Sequence, residues 1–378
     1  MVRILALCLT LTCLGPASAK SAARGSEPSL SIKLGAPLEI GRAEPLFGSV
    51  VSVCEDGKGD FYVLDQREQK VLKFSPDGRR LGAFGRKGQG PGDFQSPGRI
   101  AFTPAGELAV FEDIALVSFH KPDGAFIRRL DLSGRLGLGY IGPDRFYGWE
   151  WEPEAQRQVL VDAKNSVIAN LHSIPRDRFS AVLPDETGRM VMFNYGPEAY
   201  VPRFLYTYGD GLSAVGMSDR YEIALLDGDA RPVAALRRDL PAPKISAKER
   251  DFLERGLADF VKSKNWPARV ARELAKKIPR VKAIVRAVFV SPTRVFVFRF
   301  PPDITAEPAR WPVDVFTREG AYLGTAELPE VPLSISRGSM YFAQDDADGN
   351  VYLVRRPYSF VWLRAPTKPI SGTPGVKP

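Results

Sequence analysis

Internal repetition restricts this chain more than any other feature. Gly59-Asp60-Phe61-Tyr62-Val63-Leu64-Asp65, then Val71-Leu72-Lys73-Phe74 and Pro76-Asp77-Gly78, returns as Gly106-Glu107-Leu108-Ala109-Val110-Phe111-Glu112, then Leu116 to Phe119 and Pro122-Asp123-Gly124. The period is about 46–47 residues, the length of one four-stranded sheet. Apolar runs rich in Val, Phe, Tyr and Leu alternate with Asp-Gly turns, whose glycine takes the positive φ of a tight hairpin. Such a sheet hides both faces only between neighbours, so the repeat predicts sheets stacked around a channel. With 34 Gly and 32 Pro spread over 378 residues, the turn content suits an all-β chain.

Fainter units follow. Asp144-Arg145-Phe146-Tyr147 with Val159 to Val161 and Val167-Ile168 gives a third. Gly211 with Tyr221 to Leu226 gives a fourth, and Thr293 to Phe298 with Val313 to Phe316 a fifth. The sixth is Asp348 to Val354 followed by Phe360 to Leu363, one strand short. Leu30-Ser31-Ile32-Lys33-Leu34 alternates as a strand and is placed beside Phe360 to Leu363 to close the ring. A six-bladed β-propeller over 29–366 is therefore expected. Arg189 to Phe193 would suggest a seventh blade, but Gly188 stands too near Gly211 for four strands, so 172–203 is read as an inserted hairpin.

One segment is helical. Ser246-Ala247-Lys248-Glu249 is a capping box, and Phe252, Leu253, Leu257, Phe260 and Val261 form an apolar stripe. Pro267 opens a second helix carrying Val270, Leu274 and Ile278, which stops at Pro279. The helical hairpin is expected over about 246–278. Lys262, Lys264, Arg269, Arg272, Lys276, Lys277, Arg280 and Lys282 hold much of the excess behind the net charge of +8 and read as its solvated face.

The first residues read as a targeting segment. Arg3, the apolar run Ile4 to Leu14 and Ala17-Ser18-Ala19 fit a signal peptide over 1–19, cut after Ala19. Residues 20–28 are expected as a linker and 367–378 as a disordered tail. The apolar run is too short to span a bilayer, and Leu7 and Thr12 before Cys8 and Cys13 do not suit a lipidation site. Export to the periplasm or outside the cell is the expectation, which argues against a nucleic-acid partner and an integral membrane protein. Cys54 is then the one cysteine left, read as a buried small hydrophobe.

At Phe84-Gly85-Arg86-Lys87-Gly88-Gln89-Gly90-Pro91-Gly92-Asp93-Phe94-Gln95-Ser96-Pro97-Gly98-Arg99-Ile100-Ala101, followed by Gly106 to Val110, the chain resembles the NHL repeat. The glycine-rich joint and the strand after it cover roughly 46–131. The pattern then decays: Glu112 stands where Asp65 does, and Arg299 and Arg355 occupy that place in the last two units. The whole chain resembles the secreted bacterial six-bladed propellers related to NHL proteins, which implies a fold and export but no ligand.

Enzymatic centres fare poorly. Amidating-lyase relatives hold zinc with several histidines, whereas this chain has only His120 and His172, each read as structural. Lactonase-like propellers use a carboxylate and amide cage at the channel, which maps onto no motif here. Asp345 to Asn350 fails as a calcium loop at both ends, since Gln344 would open it and Arg355 close it. No Gly-x-Ser-x-Gly elbow is present, and the glycines at 85–92 lack a phosphate-binding lysine and helix. Neither catalytic nor metal-binding residues are assigned, and no cofactor is expected. The reading is a non-enzymatic scaffold that binds a protein, peptide or glycan on a propeller face, with Arg99, Arg67 and Trp151 as ligand contacts. The alternative is a metal-dependent hydrolase or lyase with its ion at the channel.

Overall fold

The computed structural model describes residues 28–44, 46–113, 115–175, 180–184, 189–194, 201–306 and 310–364. The expected signal peptide, nearly all of the linker and the tail lie outside the described residues.

The described residues form strands, with one helical excursion. Two short strands come first, β1 (Ser29–Leu34) and β2 (Leu38–Ile40). Four antiparallel sheets of four strands follow. The first is β3 (Val50–Glu55), β4 (Phe61–Asp65), β5 (Lys70–Phe74) and β6 (Arg80–Phe84). The second is β7 (Pro97–Phe102), β8 (Leu108–Glu112), β9 (Leu116–His120) and β10 (Phe126–Asp131). The third is β11 (Leu136–Gly142), β12 (Arg145–Trp151), β13 (Ala155–Asp162) and β14 (Val167–Pro175). A separate hairpin, β15 (Ser180–Pro184) with β16 (Met190–Asn194), precedes the fourth sheet of β17 (Phe204–Gly209), β18 (Leu212–Met217), β19 (Glu222–Leu226) and β20 (Pro232–Arg237). The helices α1 (Ala247–Ser263) and α2 (Ala268–Ala275) come next. The last described elements are β21 (Val285–Val290), β22 (Val295–Arg299), β23 (Trp311–Phe316), β24 (Tyr322–Leu328), β25 (Ser334–Ile335), β26 (Ser339–Asp345) and β27 (Val351–Arg364).

The arrangement is propeller-like, but the expected six separate four-stranded sheets are not what forms. Four are separate and, apart from the β15–β16 hairpin, the other described strands run together as one nine-stranded sheet in the order β21-β22-β23-β24-β1-β27-β26-β25, with β2 also on β27. The cause is the length of β27. Its 14 residues pair with β26 and β2 through the first half and with β1 through the second, and β1 then touches β24 in parallel at Ser29 and Thr325. The N-terminal pairing is as the sequence suggests, with Leu30 opposite Trp362 and Ile32 opposite Phe360. The last repeat, however, is read one strand out of step: Ser339–Asp345 forms β26, a strand that the repeat pattern omits, and Asp346 to Asn350 is the turn between β26 and β27.

Packing explains why the strand sequences look as they do. All five residues of β4 are buried because both faces of its sheet are covered. Phe61 and Val63 pack towards Tyr341 and Leu353, while Tyr62 and Leu64 pack towards Phe94, Ile100 and Val110 in the second sheet. Similar clusters join the second sheet to the third around Phe119 and Phe146, the third to the fourth around Tyr147, and the fourth to β21–β23 around Ile223 and Val295. Phe296 and Phe298 then meet Met340 and Phe342, and Tyr341 returns the packing to Phe61 of the first sheet. Each such apolar side chain contributes about 2 kcal/mol on burial.

The acid at the end of the repeated strand has a definite task. Asp65, fully buried, accepts the backbone N–H groups of Gly48 (2.8 Å) and Ser49 (3.0 Å), fixing the chain as it enters β3. Glu112 accepts those of Gln95 (2.5 Å) and Ser96 (3.2 Å) before β7, so the longer acid fills the same role. Arg299 in the fifth unit instead turns its Nε to buried Asp314 at 3.0 Å. Arg355 lies on the third strand of the last unit and faces Glu55 and the Tyr341 hydroxyl, so it does not stand in the place of Asp65.

Candidate functional site

Strand direction alternates within each sheet, so the connections fall into two groups. The link from the fourth strand of one sheet to the first of the next emerges at the same end as the turn between second and third strands. That end carries the glycine-rich joint before β7, the β15–β16 hairpin between β14 and β17, and the two helices between β20 and β21. The opposite end carries mostly one short turn, repeated. At Ser75–Arg79, Thr103–Glu107, Lys121–Ala125, Asp227–Arg231 and Thr317–Ala321, the first residue's N–H reaches the fifth residue's carbonyl, and the fourth residue's N–H returns to the first residue's carbonyl.

The two insertions pack on each other. Leu257, Val261, Val270 and Leu274 form a cluster between the helices that also receives Leu183 of β15, and Arg269 donates to the Pro184 carbonyl. Leu253 and Ile278 rest on Ala283 and Phe300 beside Ile304 and Trp311, which seats the helices on the link between β22 and β23. The capping box of Ser246 and Glu249 forms as expected. Two expectations need correction. Phe252 is 51% exposed, because Leu253, Leu257 and Val261 already define the inward stripe and a residue one position earlier is turned about 100° from it. Lys282 does not belong to the solvated basic face: it is fully buried, ion-paired to equally buried Glu249, and donates to the Pro302 carbonyl at 2.6 Å. Burial raises the Glu249 pKa, but the hydrogen bonds from Lys282, Ser246 and Ile304 outweigh it and hold the carboxyl below its ordinary value.

At the insertion-bearing end, the strands that open four of the described units are irregular, while β17 pairs in regular register. The pairing register shifts at Val50/Ser52 in β3, Pro97/Arg99 in β7, Leu136/Gly139 in β11 and Val285/Ala287 in β21. Bulges of this kind turn side chains away from the alternating pattern and recur beside functional sites. Arg99 follows the bulge in β7 and Arg286 lies in the one in β21. β3 and β7 are tied together where the Ile100 N–H meets the Ser52 hydroxyl at 3.1 Å.

Arg99 is exposed, and its guanidinium lies over the ring of Tyr206 on β17, 5.1 Å from the centroid. Tyr206 is stacked on Tyr147 (4.7 Å, 17°), and Tyr147 in turn on Phe204 (5.2 Å, 17°). The hydroxyl of Tyr206 donates to the Tyr140 carbonyl and that of Tyr147 to the Gln158 side chain. Burial pushes both tyrosine pKa values up, against the opposing pull of the Arg99 charge, so both rings stay neutral. Glycine at 139 is required here, since a Cβ would fall 2.2 Å from the Tyr206 ring.

The other two sequence candidates stand apart from Arg99 but at the same end. Arg67 is exposed in the turn between β4 and β5, its aliphatic stem against Gly48. Trp151, at the end of β12, is 53% exposed and meets Trp149 edge-on at 5.0 Å. Tyr206, Tyr147 and Arg286 were not singled out from sequence. The alternation in Phe204 to Tyr208 marks a strand but not its neighbours.

Other polar clusters are internally paired. Asp314 accepts from Arg238 (2.9 Å), a terminal guanidinium nitrogen of Arg299 (3.4 Å) and the Tyr221 hydroxyl (2.7 Å), stapling the fourth sheet to β23. His120 is buried among Phe84, Phe94 and Phe126, with Nδ1 3.2 Å from the Gly124 carbonyl. His172 stacks on Phe204 at 6.5 Å. Among the described residues no group of three or more His, Cys, Asp or Glu is placed to hold a metal ion, and no helix is long and apolar enough to cross a membrane.

No protein-family model and no curated protein matches this chain. Solved structures do. One, from Bacteroides fragilis and described as an exported protein, is 12% identical over 87% of this chain and 95% of its own, with a TM-score of 0.53. A member of the DUF4221 family from Bacteroides vulgatus is 11% identical over 89% of this chain and 100% of its own, with a TM-score of 0.51. At such identities the likeness shows the fold alone, that of an all-β, propeller-like chain.

Proposed function

We propose that the mature chain is an exported, non-enzymatic binding module of six blades that takes a protein, peptide or glycan at its insertion-bearing end. In this reading β21–β24 are the fifth blade, β25, β26, β27 and β2 the sixth, and the long sheet is the seam where β1 bridges them. The packing around the ring supports that count, and the NHL-like joint before β7 supports the kinship. Export rests on the charge, apolar run and small residues of 1–19.

One observation carries the binding reading: both insertions gather, packed on each other, at the end where the inner strands bulge and expose Arg99. Long loops on a rigid β scaffold are where ligands are met. Arg67 and Trp151 would add contacts on the same end. The test uses purified residues 20–378 on a peptide-display library and a glycan array. Replacing 246–278 with a Gly-Ser linker, together with Lys282→Met so that no unpaired charge is left buried, should keep the β-rich circular dichroism and abolish selected binding. Binding that survives the excision, or a protein that selects nothing, would refute the reading.

A further inference from the structure

We propose that the ligand is an acidic peptide, one of whose carboxylates is seated on the Arg99 guanidinium; this rests on the binding reading above. Among the described residues no hydrogen bond or ion pair engages that guanidinium, which is exposed and lies over the Tyr206 ring. An aromatic ring takes up charge without accepting a directed hydrogen bond, so the N–H fork of the guanidinium is left to match the two oxygens of a carboxylate. Arg128, Arg237 and Arg157, by contrast, pair with Glu107, Glu222 and Glu150.

The order of the aromatic stack selects the ligand class. Tyr206 is half-buried, with Tyr147 stacked on it and the Arg99 guanidinium over the same ring. Little of that ring is left for a sugar to stack on. Both tyrosine hydroxyls are already committed to protein acceptors, so the group left to recognise a ligand is the charged N–H fork. The carboxylates nearest in the chain are spoken for. Glu112 is buried against the amides of Gln95 and Ser96, and Asp113 accepts from the Ser96 hydroxyl at 3.2 Å. The bulge between Pro97 and Arg99 aims the side chain, and Gly98 leaves room for Asp113, whose Oδ1 would stand 2.9 Å from a Cβ there.

The probe is a positional-scanning library of N-acetylated hexapeptides, read by competition with residues 20–378. Pools fixed as Asp or Glu at one position should bind at least about tenfold better than the matching Asn or Gln pools. Arg99→Gln should bring that ratio close to one without moving the melting temperature. Arg231→Gln, the same charge change in the short turn between β19 and β20, should leave it intact. Equal binding of neutral and acidic pools, or a ratio that survives Arg99→Gln, overturns the carboxylate seat while leaving the binding reading in place. Binding of oligogalacturonate but not its methyl ester, with no peptide pool bound, overturns the peptide and makes the ligand an acidic glycan. A chain that binds none of these overturns both readings.

Discussion

The two ends of this molecule are made from different kinds of chain. One is closed by a hairpin turn repeated with small variations, its fourth position at positive φ, as at Gly78 (88°), Gly106 (78°) and Gly124 (92°). Each such turn closes through hydrogen bonds within its own five residues. The other end is held by long-range contacts: buried acids gripping the entering chain, an ion pair beneath α1, and two insertions that share a core. Local chemistry builds the first end and tertiary structure the second, so the second is where a substitution should cost most and where the molecule has surface to vary.

The largest expected effect falls on the ion pair. Lys282→Met leaves Glu249 buried and unpaired, and should cost about 3–5 kcal/mol in urea denaturation, because removing one partner strands the other charge. Adding Glu249→Gln should restore more than half. A loss below 1 kcal/mol would mean that the helices float on the sheets, and the contrast between the ends would fall.

Asp65→Ala comes next. It deprives the Gly48 and Ser49 amides of their acceptor and should cost about 2–3 kcal/mol, as stranded buried donors do. At the opposite end Gly78→Ala puts a side chain at φ 88° and within 3.1 Å of Leu38, for about 1–2 kcal/mol. If the glycine proved the costlier of the two, the short turns would be the more demanding end after all.

The smallest effect is a pH dependence that separates the ends. His120, beside the Lys121–Ala125 turn, has its pKa lowered by burial, helped by the charge of Arg129 and opposed by the Gly124 carbonyl. Unfolded chain then binds more protons than folded chain below the ordinary histidine value of 6.5, so stability should decline as pH falls through that value and towards the depressed one. Glu249 also has a depressed pKa, but its contribution is intact above the ordinary carboxylate value of 4.5 and is lost only as pH falls through its folded value. Denaturation at a series of pH values should show two phases, with His120→Leu flattening the upper and Glu249→Gln the lower. A single phase untouched by either substitution would remove the distinction.

The sheets were legible because their causes are local. Val63 and Leu64 read as a strand buried on both faces, the Pro-Asp-Gly turns as hairpins, and Ser246 with Glu249 as a helix start, each from neighbours within a few positions. The candidate site was only partly legible. Arg99 was singled out because it lies near a loop that a propeller brings to a face, whereas the Tyr206 ring under it comes from a strand more than a hundred residues away. Lys282 looked like the end of a basic run because sequence shows charge without depth.

By itself, then, the sequence determined an all-β chain of repeated units, the helical hairpin and the pairing of the first strand with the last, since turn geometry, period-two burial and helix capping are set by adjacent residues. Only the tertiary structure decided that β27 runs on long enough to fuse two groups of strands, that Lys282 goes inside, and that Arg99 lies over a ring. Those outcomes depend on which surfaces meet once the sheets are stacked, and burial and pairing energies belong to the meeting of surfaces rather than to either segment alone.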